Sequence, residues 1–127
     1  MSSESGNLCH CGSQKSFDIC CGPFLSGTDF PSTAEELMRS RYSAYVKQNV
    51  PYILETTSPG FRKYYNPKSI LEWAANSTWI SLEILSSSEK RVKFTATYLD
   101  ENGQLMRHTE DSRFEKIAGR WYFMDGR

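Results

Sequence analysis

"TWISLEILSSSEKRVKFTATYLDENGQLMRHTEDSRFEKIAGRWYFMDG", residues 78–126, changes the period of the chain and with it the fold class. Ile80, Leu82 and Ile84 alternate with Trp79, Ser81 and Glu83, and Val92, Phe94, Ala96 and Tyr98 alternate with Lys93, Thr95 and Thr97. Two-residue alternation places one set on each face of a strand. Ser86–Ser88 reads as a turn between the first two strands, and the Asn102-Gly103 pair within Asp100–Gly103 favours a tight hairpin. A long strand from Gln104 to about Lys116 follows, then an Ala118-Gly119 turn and a last strand in "RWYFMD". Four strands joined by short turns predict an antiparallel meander.

Upstream the period is helical. Ser32 and Thr33 are N-cap candidates with Glu35 and Glu36 three residues on from each, and Leu37, Met38, Tyr42, Tyr45 and Val46 recur at helical spacing, predicting a helix from about Ala34 to Gln48. Pro51 suits the first turn of a short helix through about Thr56, and Asn66-Pro67 starts a third carrying Ile70, Leu71 and Ala74. Three helices followed by a meander make an α+β fold. The Pro, Gly and Ser content of "PFLSGTDFPST", residues 23–33, reads as a linker, giving a module over 1–25, a linker over 26–33 and a main domain over 34–127.

Charge narrows the functional classes. Fifteen basic residues balance fifteen acidic ones among 127, so no global positive field points to nucleic acid or an anionic membrane. "MSSESGNL" is not a basic stretch leading into an apolar one, and no window approaches the roughly 18 apolar residues of a membrane span. A cytoplasmic location, without membrane attachment, is expected.

All four cysteines fall within "CHCGSQKSFDICCG", residues 9–22. In a reducing compartment disulfides do not persist, and bridges between Cys9 and Cys11 or between adjacent Cys20 and Cys21 need unfavourable geometry. The spacing is not the Cys-x-x-Cys of a redox pair. Cys9, Cys11, Cys20 and Cys21 do supply a complete tetrahedral thiolate set, with Gly12 and Gly22 freeing the backbone behind each pair. Thiolates select borderline or soft metals, so one structural zinc per chain is expected, with iron as the competing ion. Such a closed site has no open position for catalysis. His10, between two of the ligands, is an alternative donor that ranks below the four-cysteine set.

These residues carry a family resemblance. "CHCGSQKSFDICCGPFLSG", residues 9–27, resembles the SEC-C zinc-binding motif, while "LMRSRYSAYV" (37–46) and "EDSRFEKIAGRWYFMDG" (110–126) resemble the YchJ family, which joins that motif to a nuclear-transport-factor-2-like domain. The resemblance spans essentially the whole chain and implies a curved sheet wrapped around the helices as a cone with a cavity at its wide end. It assigns the zinc ligands to Cys9, Cys11, Cys20 and Cys21 and the tight turn to Gly12 and Ser13. Only Lys15 is basic between the cysteine pairs, so ribosome or RNA contact ranks lowest. The chain is similar to the single-motif form of the family.

Cone folds host enzymes as well as binding proteins, so the site must decide. His108, Glu110, Ser112 and Phe114 share one face of the long strand; a His–Glu pair on a cavity wall can act as a base with its orienting carboxylate. Such a row is more often solvated, and that is expected here. Arg39 and Arg41 can hold a carboxylate or phosphate, or pair with Glu35, Glu36 or Asp125, and a structural ion pair is expected for at least one. Tyr42, Tyr45, Trp73, Trp79, Trp121 and Tyr122 are expected in the core. No phosphate loop, Ser-His-Asp set or His-Glu-x-x-His motif is present. The chain is therefore expected to be a non-catalytic interaction module with a protein partner, the zinc hook presenting Phe17, Ile19, Phe24 and Leu25. The alternative is a small-molecule carrier or enzyme using a cavity at Arg39, His108 and Glu110. Pairing through the exposed sheet face would make a dimer.

Overall fold

The computed structural model describes residues 8–127; the first seven residues of the expected 1–25 module lie outside the described residues. In chain order the elements are a 3-10 turn at Phe17–Ile19, α1 (Gly22–Ser26), α2 (Ala34–Val46), α3 (Val50–Glu55), a second 3-10 turn at Arg62–Tyr64, α4 (Pro67–Asn76), β1 (Thr78–Ser87), β2 (Arg91–Leu99), β3 (Leu105–Ile117) and β4 (Arg120–Gly126). The strands form one antiparallel sheet in the order β1-β2-β3-β4, the expected meander.

Side-chain caps place the helices. Thr33 Oγ1 accepts from the Glu36 amide at 3.0 Å, and Glu36 Oε1 accepts from the Ser32 amide at 2.9 Å, a capping arrangement worth about 1 kcal/mol. Helix α2 stops two residues short of the expected Gln48 boundary because Gln48 is left-handed, at φ 59°, which also frees Asn49 to cap α3 through Tyr52. Asn66 accepts from the amides of Lys68 and Ser69, and Pro67 fills the first turn of α4. One expectation fails: Pro23–Ser26 is helical, not linker, because Pro23 fits the first turn and Gly27, at φ 83°, closes α1.

Two features depart from the simple strand pattern. Register shifts in β1 between Trp79 and Ser81 and between Ile84 and Ser86 leave Ile80 and Leu85 as extra residues, so Ile80 is exposed rather than in line with Leu82. The Asp100–Gln104 turn is wider than a two-residue hairpin, since Asp100 Oδ1 accepts from the amides of both Asn102 and Gln104. The Ala118-Gly119 turn, with φ 52° and 84°, is a two-residue hairpin as expected.

The sheet curls over α2. Leu37, Met38 and Tyr42 pack against Leu82, Val92, Phe94, Ala96, Phe114, Trp121 and Phe123. A second cluster joins Ala44 of α2 to Tyr52, Ile53 and Ile70, with Phe24 and Leu25 of α1 against it. Behind α3 the chain adds a parallel bridge to the sheet edge: the Phe123 amide donates to Thr56 O at 2.7 Å and the Ser58 amide to Phe123 O at 2.8 Å. This brings Thr56 and Thr57 beneath the centre of α2. The outer sheet face is polar, with Glu83, Lys93, Thr95, Thr109 and Asp111 among its paired residues.

Candidate metal centre and cone cavity

Helix α2 separates two sites because its neighbouring stripes face opposite ways. Glu35, Arg39 and Ser43 follow at four-residue spacing on the stripe that meets the cysteine module, while Met38, Arg41, Tyr42 and Tyr45 follow at three- and four-residue spacing on the stripe that meets the cavity.

On the first stripe, the four cysteine Sγ atoms lie within 4.8 Å of one another, and Cys11 to Cys20 and Cys20 to Cys21 are 3.6 and 3.9 Å apart. A tetrahedral metal at about 2.3 Å from each sulfur sets edges of about 3.8 Å, so this donor set fits one tetrahedral metal ion. Hydrogen bonds from Cys11 and Cys21 hold the Cys9 thiol well below its ordinary value. Hydrogen bonding to Cys11 and Cys9, followed by burial, pushes Cys21 well above it, and burial pushes Cys20 up to about 11. Ligation takes each cysteine as a thiolate, so a divalent cation binding here displaces the thiol protons. All four lack disulfide partners. His10 is turned toward Phe17, with ring centroids 6.2 Å apart, and stays outside the donor set.

The module is docked on the cone. Arg39 Nη1 donates to Cys11 O at 2.7 Å while its Nε pairs with Glu35 at 3.1 Å, and Cys9 Sγ lies 3.5 Å from Ser43 Oγ. Gly12 sits at φ 83°, and a Cβ there would come within 3.1 Å of Leu82 O, so the turn behind the first cysteine pair needs glycine both for its backbone and for its approach to β1. A hydrogen bond from Ser87, with Arg39, holds Glu35 below the usual carboxylate range against the effect of burial. Arg39 therefore makes the expected ion pair, but it does not reach the cavity to which it was assigned; its position on the helix, two residues from Arg41, turns it to the module.

On the second stripe, a cavity of about 230 Å³ opens between α2, α4 and the sheet, lined by Tyr42, Tyr45, Tyr65, Trp73, Trp79 and Phe94 together with Arg41, His108, Glu110 and Ser112. The row at His108–Ser112 thus faces inward, contrary to the solvated face expected, because Phe114, in the same row, is in the core. His108 Nε2 and Glu110 Oε1 are 2.9 Å apart, and Ser112 Oγ donates to Glu110 Oε2 at 2.6 Å. The Glu110 contact raises the His108 pKa above its ordinary value, with burial opposing. Burial alone would push Glu110 up, but the hydrogen bonds of His108 and Ser112, with the charges of His108 and Arg41, outweigh it and hold the carboxyl low. Each partner thus favours the charged form of the other, His108 as imidazolium and Glu110 as carboxylate.

Arg41, weighed with Arg39 as a holder of a carboxylate or phosphate but not assigned to the cavity, is the arginine that lines it. It is 5 % exposed, its Nη1 donates to Ile53 O, Thr56 Oγ1 and Thr57 Oγ1 at 2.9, 2.8 and 3.2 Å, and its guanidinium lies 4.4 Å from the Phe123 ring centre. Its spacing to Met38 and Tyr45 was the available signal. Of the aromatics expected in the core, Trp121 is buried there, but Trp73 is 37 % exposed and stands with Trp79 and Tyr45 as cavity wall, Trp73–Trp79 centroids being 5.5 Å apart. A cavity larger than its side chains leaves these rings only partly covered.

Gly126 completes the wall. It pairs with Ser112 across β3 and β4, and a Cβ on it would overlap the Glu110 carboxylate.

Residues 33–126 match the family model of the YchJ middle NTF2-like domain. A UPF0225 protein of Haemophilus influenzae is 46% identical over 122 residues, covering 92% of this chain and 75% of its own length; one of Geobacter sulfurreducens is 45% identical, covering 94% and 78%. A SEC-C motif containing protein from Rhodopseudomonas palustris, solved in solution, superposes with a TM-score of 0.86 at 40% identity, covering 94% of this chain and 96% of that one. A crystal structure of another such protein, from Psychrobacter arcticus, gives 0.75 at 28% identity, covering 94% and 80%. With its clustered cysteines ahead of an NTF2-like cone, the chain belongs to the YchJ (UPF0225) family of SEC-C motif proteins.

Proposed function

We propose that this protein is a zinc-stapled receptor for a small organic molecule, held in the cone cavity. The observation that carries this reading is the convergence of Arg41, His108, Glu110 and Ser112 on an aromatic-walled space of about 230 Å³. A few polar groups aimed into a mostly apolar concavity is the general pattern of a ligand site. Zinc, one per chain on Cys9, Cys11, Cys20 and Cys21, supplies a closed tetrathiolate crosslink and no open coordination position. Its work is mechanical: through Arg39 and Ser43 the module braces the helix that also carries Arg41. The thiolate set requires a reducing compartment, which supports a cytoplasmic location.

The test is nuclear magnetic resonance of the metal-replete full chain titrated with phenol and with benzoate. Saturable shifts at the indole N–H groups of Trp73 and Trp79 and at His108 are expected; no shift with either probe refutes the reading. Elemental mass spectrometry gives the metal, with one zinc per chain expected and iron the refuting result.

A second reading, contact with a partner protein through the metal module, rests on Ile19, which is 73 % exposed beside the cysteines. It predicts that Ile19→Asp abolishes partner binding without changing metal content. Phe24 and Leu25 offer less surface to the same contact, since both are half-buried against the second core cluster. A dimer through the outer sheet face would have to cover charged Glu83, Lys93 and Asp111.

A further inference from the structure

Arg41 is buried without an acidic partner. Among the described residues it makes no salt bridge, and only Nη1 finds acceptors, all of them uncharged. Nε and Nη2, the two donors along one edge of the guanidinium, have none. No side-chain nitrogen sealed from solvent lacks a partner among the described residues, so these two atoms are not sealed, and the cavity is the open space that Arg41 lines. The one acid of the cavity wall, Glu110, is already occupied on both oxygens by His108 and Ser112. Glu110 acts on Arg41 only at longer range, so the open edge of this buried guanidinium has no anion bonded to it, and a buried charge that is not directly paired is unfavourable.

From this, and resting on the reading of the cavity as a ligand site, we infer that the ligand is a small planar monocarboxylate, its two oxygens taken by Nε and Nη2 of Arg41 and its body by the aromatic walls. The parallel N–H pair matches a carboxylate's two oxygens. The lining contains no lysine and no second arginine; with His108 protonated against Glu110, Arg41 leaves one net positive charge, which compensates one negative charge and not the two of a phosphate monoester. Its volume, about 230 Å³, falls below the roughly 300–1,000 Å³ of drug-sized sites, which limits the ligand to about one ring. Tyr45, Trp73 and Trp79 meet edge-on or tilted at 5.3–5.8 Å, forming a packed aromatic wall against which a flat body can lie.

The experiment compares benzoate, benzamide, benzyl alcohol and inorganic phosphate by calorimetry on the metal-replete full chain, and repeats benzoate on Arg41→Lys, which keeps the charge and loses the two-donor edge. Benzoate binding at least tenfold tighter than either neutral analogue and than phosphate, with that preference lost in Arg41→Lys, is the expected result. Equal affinity for the three ring compounds overturns the carboxylate assignment while leaving the cavity reading intact. Phosphate as the tightest ligand overturns it also. Binding of none of them overturns both. If Arg41→Lys does not fold, as judged by circular dichroism, the ranking on the unmodified chain decides alone.

Discussion

Replacing Glu110 by Gln tests the inward polar row directly, because it keeps the shape and removes the charge that His108 faces. His108 Nε2 is 2.9 Å from Glu110 Oε1, with side chains 40 % and 21 % exposed, so the pair lies between a surface and a buried salt bridge and is worth about 1 kcal/mol. The 2.6 Å bond from Ser112 loses its charge assistance, adding up to about 1 kcal/mol. His108 has its folded pKa raised above 6.5, so its contribution is complete below 6.5 and is lost as pH rises through the folded value. Glu110 has its folded pKa depressed below 4.5, so its contribution is present above 4.5 and is lost as pH falls through the folded value. The pair therefore stabilises most between pH 4.5 and 6.5. Glu110→Gln should lose about 1–2 kcal/mol at pH 6 and clearly less at pH 9, where His108 is neutral in both proteins. At roughly 3–6 °C per kcal/mol for a domain of this size, the Tm falls by about 3–12 °C at pH 6. Any shared dependence on metal-site protonation cancels in the difference between variant and parent. The assay is calorimetry at both pH values with a His108 titration by nuclear magnetic resonance, where the variant's His108 pKa should fall to 6.5 or lower. An equal loss at the two pH values, or an unshifted His108, would refute the coupling. A variant more stable at pH 6 would mean that burial of the carboxylate outweighs its hydrogen bonds.

Other perturbations separate staple from cavity. Gly126→Ala, whose Cβ would overlap Glu110, should lower the His108 pKa much as Glu110→Gln does while leaving metal content unchanged; an unaltered titration would show that β4 yields instead. Cys11→Ser, at a fully buried sulfur, should lose the metal and lower the Tm by at least 5–10 °C, the order of a structural crosslink's contribution, read by elemental analysis and calorimetry. Arg39→Met keeps the aliphatic stem but loses the 2.7 Å bond to Cys11 O; it should retain one metal per chain, cost about 1–2 kcal/mol, and raise amide exchange across residues 9–22, whereas unchanged exchange there would mean that the module docks without it.

The strands, the three principal helices and the clustered thiols were legible in the amino-acid order because each depends on neighbours a few residues away. Alternation at Val92–Tyr98 sets a strand face, Thr33 and Glu36 start a helix, and Cys9 to Cys21 lie close enough in the chain to meet around one ion. Local pattern also carried the turn at Ala118-Gly119, which the structure shows to be left-handed. It could not say which polar stripe faces inward, because period fixes which residues share a face and not which face the rest of the molecule covers. That depended on α2 lying across the sheet, which turned His108, Glu110 and Ser112 toward Arg41 and sent Arg39 to Cys11 instead. Two arginines two residues apart differ by about 200° around a helix, so only the positions of module and sheet could give one to the metal staple and the other to the cavity.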